Sequence, residues 1–169
     1  MMTLLLNWRG AEVQITEELV ATIVGRFDKD VVALLLDQRG AEVQITEEVV
    51  KAAAGNNNGE GVMTLLLNQR GAEVQITEEV VKAAAGNEYD CKEVMTILLN
   101  ERGAEVQITE EVVKAAAGNN NGKGVMTLLL NRRGAEVQIT EEVVKTAAGN
   151  KYNGKEVMTL LLDQRRAEV

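Results

Sequence analysis

Five adjacent glutamate pairs recur along the chain: Glu17/Glu18, Glu47/Glu48, Glu78/Glu79, Glu110/Glu111 and Glu141/Glu142. Two carboxylates can cleave a glycosidic bond, but only across a cleft and with one of them kept protonated by its surroundings. Adjacent residues at the start of a helix point in different directions and serve the positive end of the helix dipole. Copying the pair into every unit also points to architecture, with divalent-cation binding along the row as the weaker reading. A second row sets Arg39, Arg70, Arg102 and Arg133 beside Glu42, Glu73, Glu105 and Glu136. It reads either as a positive strip for an acidic peptide or phosphate backbone, or as a ladder of ion pairs between repeats. The ladder is favoured because negative rows alternate with the positive one; each exposed pair contributes about 0–1 kcal/mol.

The rest of the catalytic repertoire is thin. There is no His and no Ser, which removes histidine acid–base chemistry and serine nucleophiles. Cys91, the single cysteine, lies in YDCKE without a histidine partner. It is read as an incidental exposed loop thiol, its pKa lowered slightly by Lys92. One Cys without His cannot build a structural zinc site. The Gly59/Gly61 and Gly122/Gly124 spacings lack a preceding strand and a lysine–hydroxyl pair, so they are not phosphate loops. The expectation is a protein without catalytic residues, cofactor or metal.

The elements that carry these residues come from a repeat. The glycine of an RGAEV core falls at Gly10, Gly40, Gly71, Gly103 and Gly134, with Arg166 in the sixth slot, a period of about 31 residues. Each unit holds two helix signals. The first, Ile76 to Gly86, opens on Thr77 as N-cap, with Glu78 and Glu79 in the first turn. Ile76 and Val81 are placed to form a hydrophobic staple, and Gly86 is expected to stop the helix in the left-handed conformation. The second signal, Val62 to Arg70, is apolar around most of its circumference and ends at Gly71, so it is expected to be buried between neighbours. Asn56-Asn57-Asn58-Gly59 and its equivalents read as turns that absorb length differences. Ala72 to Ile76 alternates apolar and polar residues, which suits an extended segment; a short parallel sheet is the less favoured outcome.

These signals predict an all-α fold, an α-solenoid of stacked helix-turn-helix repeats. Residues 1–169 form one array of five repeats plus a partial end unit, starting and ending on the second helix of the unit. Single helices this short are marginal in water, so a lone unit is expected to be unfolded. A net charge of −8 disfavours nucleic acid and anionic membrane partners, and no apolar run is long enough to span a bilayer. Met1 and Met2 lead straight into TLLLN without a signal peptide, and the lone cysteine suits a reducing compartment; the expectation is cytoplasmic.

Aligned from the capping threonine, TEEVVKAAAGNNNG and VMTLLLNQRGAEVQ, with its Leu-Leu pair and Gly-Ala, resemble the two helices of an ankyrin repeat. The TPLH opening of that family is missing, and AEVQ runs straight into ITEE, so no β-hairpin finger separates the units. The longer string LLLNQRGAEVQITEEVVKAAAGN is similar to the near-identical C-terminal repeats of fungal NACHT-type and related STAND (NLR-like) proteins. That resemblance covers essentially the whole chain. It implies a ligand-sensing array attached, in a parent protein, to a nucleotide-binding switch.

Departures from uniformity mark candidate contacts with a protein or peptide ligand. The slot after the Asn or Asp that follows LLL holds Trp8, Gln38, Gln69, Glu101, Arg132 or Gln164, and the turns carry Phe27, Tyr89 and Tyr152. Drift at exposed positions would leave the same pattern. The leading expectation is a non-catalytic binding scaffold; the alternative is a structural or self-assembling array, natural or designed. Solenoid ends without polar caps associate, so a homo-oligomer through the end faces is expected, with Trp8 near the contact.

Overall fold

The computed structural model describes residues 13–167; Trp8 and the first expected second-type helix lie outside them. Ten α-helices follow, paired into five hairpins. Unit 1 is α1 (Glu17–Arg26) and α2 (Lys29–Arg39); unit 2 is α3 (Glu47–Ala54) and α4 (Gly59–Arg70). Unit 3 is α5 (Glu78–Gly86) and α6 (Cys91–Glu101); unit 4 is α7 (Glu110–Gly118) and α8 (Gly122–Arg133). Unit 5 is α9 (Glu141–Gly149) and α10 (Gly154–Ala167). First helices pack on first helices and second on second, and the principal contacts join each unit to its neighbour. The fold is an all-α solenoid, with no strand among the described residues.

Each first helix starts as its sequence requires. Thr77 sits in extended backbone (φ −90°, ψ 168°) and its hydroxyl oxygen accepts from the Val80 N–H at 3.4 Å. The face turned inward is small: Val80, Val81, Ala84 and Ala85 are all buried. Small side chains let first helices approach closely; a Cβ on Gly118 would lie 3.2 Å from Thr146 Cγ2 of the next unit. The second helices supply the bulk, with Val62, Met63 and Leu66 fully enclosed and Leu65 and Leu67 partly so.

Three expectations need correction. The second helices begin earlier than the apolar run: α4 starts at Gly59, not Val62. Gly59 opens the helix because the position is buried against the next unit, where a Cβ would sit 2.8 Å from Val94 Cγ2. No described glycine has positive φ, so Gly86 is not a left-handed stop. The chain leaves α5 through Asn87 in extended backbone (φ −60°, ψ 125°). The third correction concerns Ala72 to Ile76. Ala72 and Glu73 belong to the turn that closes α4 rather than to an extended run. Val74 and Ile76 are buried, and the segment joins no sheet, as the favoured reading has it. The Val74 carbonyl is taken by Arg102 of the next unit at 3.0 Å, which leaves no ladder to form.

The turn asparagines carry the most consequential contact. Asn87 Nδ2 donates to the carbonyls of Ala54 (2.8 Å) and Asn56 (2.7 Å) in unit 2, while its Oδ1 accepts from the N–H groups of Tyr89 and Asp90. Asn119 makes the same two bonds to Ala85 and Asn87, and Asn150 to Ala117 and Asn119. Asn56 reaches Val24 and Phe27 in unit 1. These side chains satisfy helix-end carbonyls that stacking would otherwise bury without partners. Read from sequence as turn chemistry alone, they are the seams between units. Asn87→Ala is therefore expected to lower unfolding free energy by about 1–3 kcal/mol in urea titrations. Asn57→Ala, at an exposed turn position, should stay within about 0.5 kcal/mol. Equal effects would remove the seam from the account.

Candidate interaction surface

The glutamate pairs divide their roles. The first member accepts the hydroxyl of the capping threonine one unit on: Thr46 to Glu17, Thr77 to Glu47, Thr109 to Glu78 and Thr140 to Glu110, each at 2.6 Å. One hydroxyl thus caps its own helix and holds the preceding unit. The second member pairs with lysine in its own helix: Glu48–Lys51, Glu79–Lys82, Glu111–Lys114 and Glu142–Lys145, at 2.5–2.9 Å. In units 2–4 the two carboxylates of a pair therefore serve different partners, while in unit 5 Glu141 and Glu142 both reach Lys145, at 2.8 and 2.9 Å. Among the described residues no group of three or more His, Cys, Asp or Glu could hold a metal ion.

The arginine row is a ladder, but of a different kind from the one expected. Each ion pair lies within a unit, as in Arg70 Nε to Glu73 Oε1 at 2.5 Å with Nη2 to Oε2 at 2.7 Å. The bond between units goes to backbone: Arg70 Nη1 and Nη2 donate to the Gly40 and Val43 carbonyls at 3.1 and 3.0 Å. Arg102 repeats this on Gly71 and Val74, and Arg133 on Gly103 and Val106. Glutamate orients the planar fork, and the fork clamps the preceding loop. With its donors turned inward, this row does not offer a positive strip to a ligand. The hydrogen bond from Arg70 holds the Glu73 carboxyl below the usual carboxylate range, as Arg39, Arg102 and Arg133 do for Glu42, Glu105 and Glu136.

Cys91 also differs from its sequence reading. It is the first residue of α6, only 2 % exposed, at the position that Gly59, Gly122 and Gly154 occupy in other units. Its thiol donates to the Asn121 carbonyl at 4.0 Å. Burial pushes its pKa up, and Glu93 and Asp90 push the same way. Lys92 contributes a backbone hydrogen bond that lowers it, but burial outweighs that effect.

The variable residues fall on two opposite edges. Gln38, Gln69, Glu101 and Arg132 are exposed in the last turns of the second helices. Arg132 Nη1 donates to Asn100 Oδ1 at 2.6 Å, linking units 3 and 4. Gln164 is half-buried, its amide 3.2 Å from where a Cβ on Gly134 would lie. Phe27, Tyr89 and Tyr152 project from the turns at the other end of those helices, 41 %, 61 % and 73 % exposed. A second helix of this length separates the edges by roughly 16 Å. The two sets therefore do not form one groove. Beside the aromatics, sequence reading missed a groove of about 650 Å³ lined by Asp28, Lys29, Asp30, Asn58, Glu60, Gly61, Thr64 and Asp90. Its only signal in the sequence is the uneven length of the turns.

Two predictions follow from these geometries. Carboxylates with depressed pKa values stabilise the fold above the ordinary carboxylate pKa, and the benefit disappears as pH falls through the depressed value. The thermal midpoint should be flat from neutral pH to about 4.3 and then decline, less steeply in high salt; a midpoint unchanged at about pH 3 would contradict the Arg–Glu forks. Alkylation of Cys91 should be about a hundredfold slower in native protein than in urea, and equal rates would show that the thiol is not enclosed.

No helix among the described residues is long and apolar enough to cross a membrane. No curated protein and no solved structure matches the chain. One family model does, five times over, at residues 4–22, 34–63, 65–95, 97–126 and 128–158, and its boundaries cut the repeat in the same period as the hairpins. The chain therefore belongs to the family described as a domain of unknown function, DUF7104.

Proposed function

We propose that the chain is a non-catalytic scaffold that presents exposed, unit-specific side chains to a protein or peptide ligand. One observation carries this reading. Repeated Glu, Arg, Thr and Asn side chains are occupied in holding units together, whereas Gln69, Glu101 and Arg132 differ and sit exposed at equivalent places in successive units, Arg132 also reaching back to Asn100. Stacked units give such residues a fixed spacing, the arrangement by which solenoids read extended partners. The similarity to ankyrin repeats and to the C-terminal arrays of fungal NLR-like proteins favours a ligand-sensing role in the cytoplasm. Neither nucleic acid nor a membrane suits the net charge of −8.

A second reading, assembly through the end face, rests on unit 5. Val144 is half-buried and Ala148 exposed, whereas their equivalents Val50, Val81, Val113, Ala54, Ala85 and Ala117 are fully enclosed by the next unit. A first-helix face, of a further unit or of another copy, would cover them. The leading reading is tested by capture from fungal extract on immobilised protein, with identification of retained polypeptides. The triple variant Gln69→Ala/Glu101→Ala/Arg132→Ala should lose at least about tenfold of a specific partner while keeping its helical circular dichroism. Identical retention on both proteins would overturn the assignment of that edge.

A further inference from the structure

The turns joining first to second helices alternate in length. After the seam asparagine, units 2 and 4 run Asn57-Asn58 and Asn120-Asn121, whereas units 3 and 5 run Glu88-Tyr89-Asp90 and Lys151-Tyr152-Asn153. The longer turns are the ones that carry tyrosine. Their backbone is fixed: the N–H groups of Tyr89 and Tyr152 donate to Asn87 Oδ1 and Asn150 Oδ1 at 2.9 and 3.0 Å. Two rings therefore stand out from a pinned edge, at low entropic cost for an interface. The groove of about 650 Å³ lies on the same edge, over the short turn of unit 2.

Charge on this edge is segregated. Units 2 and 3 carry Glu60, Glu88, Asp90 and Glu93 against Lys92; units 4 and 5 carry Lys123, Lys151 and Lys155 against Glu156. Among the described residues, neither Glu60 nor the nearby Asp30 has a side-chain ion pair, unlike the second glutamates of the repeated pairs in units 2–5.

We propose that this edge is self-complementary: a second copy of the chain docks antiparallel about a two-fold axis between units 3 and 4. The rotation sets unit 3 against the partner's unit 4 and unit 5 against the partner's unit 2. Each tyrosine turn then faces a short turn, and each facing pair is opposite in net charge. Tyr152 enters the groove over unit 2, bringing Lys151 and Lys155 to Glu60 and Asp30. An isologous contact repeats this at both ends and closes at two copies. Complementary charge sets its orientation and makes it weaken with salt. The inference does not depend on the ligand reading above, which uses the opposite edge. It also differs in kind from end-face stacking, which is apolar and has no symmetry that closes it.

Sedimentation equilibrium of the full chain tests it. At about 50 mM salt the mass should climb with concentration from 18.4 kDa to twice that value, and return towards 18.4 kDa at about 500 mM. Tyr152→Ala, Glu60→Lys and Lys155→Glu should each weaken association by about tenfold. Glu60→Lys/Lys155→Glu in one chain, which reverses the pair at both ends, should recover to within about threefold of the parent. Lys114→Glu, on the first-helix face, should leave the dimer intact. A monomer at both salt concentrations, or a double variant no better than the singles, would overturn the proposal. So would growth beyond two copies that salt does not weaken, the outcome expected of end-face stacking.

Discussion

Everything in this molecule depends on an amide reaching from one unit into the end of the unit before. An α-helix ends with carbonyls that have no partner in their own helix. In a solenoid those ends are pressed against the next unit, away from water. Asn150 donates to Asn119, Asn119 to Asn87, Asn87 to Asn56, and Asn56 to the end of α1, so one continuous chain of hydrogen bonds runs through units 1 to 5. Among the described residues no buried side-chain polar atom lacks a partner. Because each seam needs atoms from two units, no unit can satisfy its own backbone alone. Stability then belongs to interfaces between neighbours, as nearest-neighbour cooperativity requires.

The charged residues take second place to that seam, although they are more numerous. Their ion pairs lie on the surface, where a pair contributes about 0–1 kcal/mol. What distinguishes the arginines is the remainder of the guanidinium. The Arg70 side chain is only 22 % exposed, and its two terminal nitrogens end on carbonyls of the preceding loop. Its glutamate works indirectly, fixing the plane of the fork so that both bonds form together. Lysine could match the charge but not that two-pronged geometry. Thr77 follows the same economy, capping its own helix and donating to Glu47 with one hydroxyl.

Much of the fold was legible in the sequence because it is written in local terms. A threonine before two glutamates marks a helix start whatever surrounds it, and Thr77 behaves accordingly. Val74 and Ile76 turn inward as alternation predicts. The errors at Asn87, Gly59 and Cys91 share one cause: a residue with a good local explanation serves a distant partner. Asn87 looks like a turn former, and is one, yet its amide spans 31 and 33 residues to unit 2. Gly59 looks like loop punctuation, but its missing side chain makes room for Val94 of the following unit. Cys91, in the equivalent slot, looks like an exposed loop residue for the same reason, yet it is buried at the start of α6. Periodicity could not correct this, since local and distant roles recur with the same period.

Uniform repeats confine specificity to a few places. A residue that closes a seam cannot change in one unit without spoiling a contact with its neighbour, so Asn, Arg and Thr positions are held by geometry. Two slots are freer of that constraint: the last turn of the second helix, where Gln69, Glu101 and Arg132 differ and only Arg132 bonds a neighbouring unit, through Asn100, and the turn after the seam asparagine. That turn can lengthen because Asn87 and Asn119 make equivalent backward bonds whether two or three residues precede the next helix. The seam therefore decouples turn length from stacking, and tyrosine can be added to units 3 and 5 without disturbing the array. The separation of the two edges by a helix length has a further consequence. Contacts made on one edge need not compete with contacts made on the other, so a chain of near-identical units can still carry two independent surfaces.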